Sequence, residues 1–445
     1  MVVCINIIQI LDCSFYMIIN IVAFLSSIIP ILLVTGPFLS DLAISLIGIF
    51  FLFIFFKEKM FFLFKNIYFN LFLIFNLIII IRSLFSEDIF FSLKTSLFYF
   101  RFGFFTLGII YILNNLKDQF QKKFDYILII TFFVITLDAY LQFFAGYNLI
   151  GLQSPQEYRL SGFFGSEMIL GSYISKIFPL VLIAFLNRTN KKNFFSLKLL
   201  SLSIFTLIMV MLTGERAAFF SLFLFTFIFF ILTDLFSLKT KILFILLIII
   251  SLSLTLFSSQ KIKSRFIDQT IYSFLGGETN FKSFKNLKQQ NKNHEKRKTY
   301  IFTHDTQSHY ISAYRMFKEN ILFGQGVKMF RKLCSKENFN YDKWSCTTHP
   351  HNTYLQLLAE TGLVGFVFIF LIFITSLFAL IKILWCKFFI GKYKVDNINL
   401  CFYGFFIMFL WPLMPTGNFF HNWLSIMFFL PIGFFLYKTR RISFE

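Results

Sequence analysis

Charge is scarce in this 445-residue sequence. Only 14% of its residues are Asp, Glu, Lys or Arg, where a soluble globular domain carries about 25%. Acid is scarcer still, 22 Asp and Glu against 42 Lys and Arg, for a net charge of +20. That excess does not mark a nucleic-acid partner. The basic residues punctuate apolar runs of membrane-spanning length instead of lining one polar face. No Lys or Arg precedes Lys57, so the apolar N-terminus lacks the basic region of a cleavable signal and reads as a first span. Six cysteines are too few for a disulfide-rich scaffold. There is no Asp-x-Asp pair of the kind nucleotide-sugar enzymes use to hold a divalent ion, and no repeat between halves of the kind that marks many transporters.

What is abundant is apolar: 57% of residues are hydrophobic, the mean hydropathy is +0.73, and 72 residues are Phe. The Phe residues are spread everywhere and read as compositional bias. Spans need about 20 apolar residues each, and about twelve such segments lie near 14–35, 38–56, 66–85, 90–114, 125–146, 168–186, 194–213, 217–233, 241–258, 362–385, 398–414 and 420–437. Continuous runs of this length exclude a β-barrel. The expectation is an all-α polytopic membrane protein of about twelve transmembrane helices with one large external loop that contains short helices. Residues 1–258 hold the first nine spans, 259–352 the loop, and 353–445 the last three.

Short loops rich in Lys and Arg alternate with loops that lack them. Lys57 to Lys65, Lys117 to Lys123, Arg188 to Lys192, Lys239 to Lys241, Lys387 to Lys394 and the tail after Lys438 form the basic set. The positive-inside rule puts that set and both termini in the cytoplasm, and 259–352 outside. The external loop carries 17 Lys and Arg against 7 Asp and Glu, which is no violation because long loops cross largely regardless of charge. Residues 276–300 read as solvated chain. Tyr310, Ala313, Met316 and Phe317 recur at helical spacing, and Gly324 and Gly326 end that helix. Cys334 and Cys346 lie in the loop, either as two free thiols or as a disulfide worth about 3 kcal/mol in an oxidising exterior.

Polar groups gathered at one membrane surface are functional candidates. All six histidines follow residue 290 and map to the outer side, as do Arg159 and Arg216. In His349-Pro350-His351-Asn352, Pro350 restricts the backbone, Asn352 can cap a helix, and His351 sits where the helix dipole favours a neutral imidazole. Gly362 and Gly365 permit close helix approach. Lys94 and Arg101 fall inside the fourth apolar segment, which calls for an internal crevice or an interfacial helix. His349 and His351 with His304 or His309 could in principle bind zinc, but no Cys or carboxylate spacing supports a metal site. Glu215 stands next to Arg216 and could pair with it. Arg216 could also be a snorkelling anchor, and His351 a cap residue only.

Residues His351-Asn352, nine residues on to Gly362, and Gly365 resemble the signature of the O-antigen ligase and polymerase superfamily. So do Leu212-Thr213-Gly214-Glu215-Arg216-Ala217-Ala218, Arg159-Leu160-Ser161-Gly162-Phe163-Phe164, and His309-Tyr310 through Phe323-Gly324-Gln325-Gly326 to Phe330-Arg331. The likeness covers about residues 90–415. It departs from many members at Glu215, where they have a small residue, and at His309, where they carry Arg.

The resemblance implies an enzyme of the bacterial inner membrane with its active site facing the periplasm. It would move a glycan from a polyprenyl diphosphate to a sugar hydroxyl, with inversion and without metal or cofactor. Arg159 and Arg216, with Arg101, would hold the diphosphate, because the guanidinium fork matches phosphate oxygens. His351 would take the acceptor proton or hydrogen-bond the diphosphate, supported by His349, Asn352, Glu360, Gly362, Gly365 and His309. Glu360, nine residues after His351, is badly placed for a covalent nucleophile. A ligase acting on lipid A-core is the favoured member. A polymerase extending the glycan on its carrier and an oligosaccharyltransferase acting on protein Ser or Thr share the motif logic. A transporter of the same lipid-linked glycans is the rival class.

Overall fold

The computed structural model describes residues 16–188, 192–274, 302–391, 394–442 and residue 444. Cys4, Cys13, Lys191, Lys392, His294 and the stretch 276–300 lie outside the described residues. Among the described residues the structure is helical, with only the isolated bridges Tyr147–Gln153 and Gln156–Arg159. The longer helices are α1 (Tyr16–Ser27), α2 (Pro37–Lys57), α3 (Ile67–Leu84), α4 (Ile89–Ser96), α5 (Arg101–Ala145), α6 (Leu170–Arg188), α7 (Lys192–Leu212), α8 (Arg216–Leu232), α9 (Leu238–Ser258), α10 (His304–Glu319), α11 (Thr353–Trp385), α12 (Asn397–Phe409) and α13 (Asn422–Lys438).

Among the described residues six stretches are long and apolar enough to cross a membrane: Pro37–Lys57, Ile67–Leu84, Ile89–Ala145, Leu170–Arg188, Leu238–Ser258 and Thr353–Ile390. Five shorter apolar helices accompany them. The protein is a multi-pass membrane protein. The fourth apolar segment is not one helix, because the chain leaves helical geometry between Ser96 and Arg101. Beyond it the connection at 115–124 is helical, not a loop. α5 runs 45 residues and is broken only at Lys117, whose φ is 39°. That break divides it into two helices, 101–116 and 118–145.

The chain divides into two compact units. The first comprises Met1–Asn76, Leu97–Thr131 and Asn422–Glu445. Glycines set its packing: a Cβ on Gly48 would lie 3.3 Å from Arg101 O, and one on Gly433 would lie 3.2 Å from Ile109 Cβ. Phe124 and Phe434 pack at 4.7 Å between ring centroids. Trp423 Nε1 donates to Leu33 O at 3.0 Å, and Arg101 pairs with Asp41 at 2.7 Å.

The second unit comprises Leu77–Ser96 and Phe132–His421. Its α12 packs on α6, α8 and α11. At one end, Lys387 and Lys241 both reach the carbonyls that close α8: Lys387 bonds Leu232 O and Thr233 O, and Lys241 bonds Ile231 O and Thr233 O. Lys387 also pairs with Asp234 at 2.6 Å. Elsewhere in the unit α10 packs against α11 over a small core of Ala313, Met316, Met329, Phe330, Leu333, Cys334, Phe339 and Ala359. A disulfide joins Cys334 to Cys346, with Cα atoms 5.2 Å apart.

Candidate active site

The turn between α7 and α8 is built around Gly214. Its φ is +72°, and a Cβ there would lie 2.1 Å from Tyr158 O and 3.3 Å from Arg159 Cγ. Only glycine allows the 158–160 segment to approach so closely. Leu160 N donates to Thr213 O at 3.1 Å, which fixes the two segments in register. Arg159 then reaches Met168 O through Nη2 at 2.5 Å. Arg216 opens α8, and its Nη1 donates to Thr270 Oγ1 at 2.7 Å.

Between these arginines Glu215 turns away from its neighbour. Its oxygens accept from Gly171 N at 2.6 Å and Ser172 N at 3.1 Å, the free N–H groups of the first turn of α6. The sequence suggested a Glu215–Arg216 pair. The structure replaces it with a helix cap, because two backbone donors in a buried setting need an anion more than an arginine at the helix start does. Burial raises the Glu215 pKa, and Arg159, the Gly171 and Ser172 contacts and Lys176 oppose that rise. Lys176, on α6, holds its Nζ over the Phe409 ring at 5.8 Å.

Two cations here were not singled out from sequence. Lys176 sits inside an apolar helix, where an intramembrane charge was itself the available signal. Arg265 lies in the one-turn element Ser264–Asp268, and its Nε donates to Gly214 O at 3.0 Å. Its neighbours mix polar and apolar residues without helical or strand period, which did not distinguish it from a solvated arginine.

The histidines form the second cluster. His349 and His351 rings lie 4.3 Å apart and His309 lies 5.4 Å from His351. His349 Nε2 is 3.2 Å from Thr416 O and Nδ1 is 2.9 Å from Thr348 Oγ1. A carbonyl only accepts, so Nε2 carries the proton and Nδ1 accepts from the hydroxyl. Burial pushes the His309 pKa down to about 4 and that of His349 to about 3, with His351 adding to both. Burial lowers His351 as well. All three are neutral at pH 7.

His351 adopts a left-handed backbone, φ 56°, which costs a non-glycine residue about 1 kcal/mol or more. Its carbonyl is held by Thr416 N at 2.9 Å. Asn352 then caps α11, accepting from Tyr354 N and Leu355 N and donating to Pro412 O at 2.7 Å. Tyr354 OH bonds Leu410 O at 2.6 Å, the residue after Phe409. The 409–416 stretch thus touches Lys176 at Phe409 and the imidazole-bearing residues at Thr416.

Gly362 is not a small residue on a helix face. It breaks α11 with φ 63°, and a Cβ there would lie 2.3 Å from Leu322 C. Gly324 meets the same backbone from the other side, 2.6 Å from Thr361 N and Gly362 N. Residues 321–326 take up two carbonyls and two N–H groups on either side of the break. Gln325 N bonds Ala359 O, Gly326 N bonds Glu360 O, Leu363 N bonds Ile321 O and Val364 N bonds Leu322 O, at 2.8–3.1 Å. Gly365 instead faces the Thr361 side chain. Glu360 is buried, taking Phe330 N and Gln356 Nε2, which continues to Asn418 at 2.8 Å. Arg101 belongs to the first unit, where Asp41 holds it.

Residues 201–370 match the family model described as O-antigen ligase. The match supports the superfamily that the motifs resemble. It takes in Arg216, Arg265, the three clustered histidines, the disulfide and the Gly362 break. Arg159 lies before it. Curated proteins gave no match to the chain.

Proposed function

We propose that this protein is a glycosyltransferase that moves a glycan from a polyprenyl diphosphate to a sugar hydroxyl of lipid A-core on the periplasmic side of the inner membrane. The family match supports a membrane glycosyltransferase of the O-antigen ligase or polymerase type. What carries the finer reading is the convergence of Arg159 and Arg216 on the Gly214 turn within the same unit as three neutral histidines.

In this scheme Arg159 and Arg216 bind the diphosphate and offset the negative charge that grows on it as the bond to the anomeric carbon breaks. The acceptor oxygen attacks that carbon from the opposite face, which inverts it. His351 takes the hydroxyl proton, and its lowered pKa keeps it free to do so at neutral pH. The diphosphate leaves with the bonding pair on the lipid carrier. No step needs a metal. The disulfide suits an oxidising exterior and the basic short loops suit the opposite face.

A lipopolysaccharide gel from a host lacking the gene tests this. Loss of all glycan-bearing bands, with polymer accumulating on the lipid carrier and recovery on complementation, is the expected result. A ladder collapsed to core plus one repeat would make the protein a polymerase. An unchanged ladder would overturn the acceptor assignment.

A further inference from the structure

The cationic end of the second unit holds one guanidinium to which the sequence signature assigns nothing. Arg265 follows α9 and points back to the start of α8. Its Nε donates to Gly214 O at 3.0 Å and its Nη1 to Gln269 Oε1 at 2.7 Å. The adjacent Phe266 packs edge-on against Phe219 of α8, 5.5 Å between centroids. Arg216 reaches the same segment from the other side through Thr270. The stretch 265–270 is therefore fastened to the first turns of α8 by two arginines and one aromatic pair.

Three arginine side chains gather around the Gly214 turn. Arg265 bonds the Gly214 carbonyl, Arg159 Cγ lies 3.3 Å from where a Gly214 Cβ would be, and Arg216 is two residues on. Burial first, then Arg216 and Arg159, push the Arg265 pKa down to about 9. Like charges drawn together repel unless an anion lies among them. Glu215 supplies one negative charge among them, felt by Arg159, Lys176 and Arg265. Its oxygens are hydrogen-bonded to Gly171 and Ser172, and a single carboxylate leaves the group with an excess of positive charge. Two arginines match the charge of a diphosphate esterified at both ends. As the sugar bond breaks, the leaving diphosphate gains a further negative charge that they do not offset, and its oxygens take several forked donors at once.

We infer that Arg265 is a third diphosphate-binding guanidinium, held in place by Gly214 and Gln269 so that its remaining donors face the leaving group. The inference rests on the proposed function and adds to it a residue from outside the signature motifs.

Full-length protein in lipid nanodiscs is titrated with inorganic diphosphate, farnesyl diphosphate and farnesyl monophosphate. Arg265→Gln is expected to weaken both diphosphates roughly 10-fold, the loss of one charged hydrogen-bond set, and to raise the donor KM more than it lowers kcat. Arg265→Lys, which keeps charge but not the fork, is expected to recover part of the affinity and lose part of the preference for diphosphate over monophosphate. Gln269→Leu, which frees the guanidinium without removing it, should give a smaller shift of the same kind. Wild-type affinity and KM in Arg265→Gln would overturn the inference while leaving the proposed function standing. If Arg265→Gln fails to fold, an unaltered preference in Arg265→Lys overturns it instead. Binding of neither diphosphate by the wild-type protein would overturn both readings together.

Discussion

The two clusters of the second unit are built on opposite principles. At the Gly214 turn, Arg159, Arg216, Arg265 and Lys176 surround one carboxylate that is committed to a helix end. At the head of α11, His309, His349 and His351 are stripped of charge by burial. The first cluster keeps its charge despite burial and needs a partner anion. The second gives up its charge and keeps a lone pair. A reaction that expels a diphosphate and consumes a hydroxyl proton needs both, and needs them separate, since an imidazolium beside the arginines would be repelled and a guanidinium cannot act as a base.

That contrast predicts different losses. Arg216→Ala should lower transfer by about 10²- to 10³-fold and weaken diphosphate binding with it. His351→Ala should lower transfer by about 10²- to 10⁴-fold and leave diphosphate binding near wild type. Loss of diphosphate binding in His351→Ala, with the protein inserted at normal abundance, would erase the division between the clusters.

A pH profile sharpens the same division. His351 has its pKa lowered by burial, so the neutral base persists below the ordinary histidine value of about 6.5. The acid limb of kcat/KM is expected below pH 6.5, with a plateau above it. A limb at or above 6.5 would show that the titrating base is not this buried imidazole.

Gly214→Ala tests how the arginines are placed. The new Cβ would lie 2.1 Å from Tyr158 O at a φ of +72°, so the 158–160 segment must retreat and Arg159 with it. Diphosphate affinity should fall while the His349 and His351 environment, followed by side-chain NMR, stays unchanged. A disturbed histidine spectrum would mean that the clusters are one mechanical unit.

Much of this was legible in the residues, and the exceptions share a cause. Asn352 is a cap because an Asn before an apolar run offers the acceptor a helix start lacks. Arg159 and Arg216 stand out because charge is rare in this chain. What could not be read were roles set by a distant backbone. Gly362 reads as a helix-face glycine until Leu322 is seen against it. Glu215 looks paired with its neighbour until the α6 N-terminus presents two N–H groups. Arg265 depends on the Gly214 carbonyl, 51 residues back. The fourth apolar segment hid a break after Ser96 because Phe, Tyr and Leu fill bent and helical backbone alike in lipid.

The smallest expected effect concerns the disulfide. Cys334–Cys346 closes a ring that is already braced: Ser345 Oγ accepts from Tyr341 N and Asp342 N at 2.8 Å, Asp342 takes Ser308 Oγ of α10 at 2.7 Å, and Arg315 reaches Asn340 O. The ring leads straight into His349, yet His349 and His351 are fixed by Thr416, not by the ring. Removing the bond in Cys334→Ser/Cys346→Ser should lower local stability by about 3 kcal/mol, the chain entropy of a short closed loop. Amide exchange across 335–345 would report it. Transfer should stay near wild type, because neither cluster draws its geometry from the ring. A drop as deep as that of His351→Ala would mean that the ring holds the imidazoles as firmly as Gly214 holds the arginines.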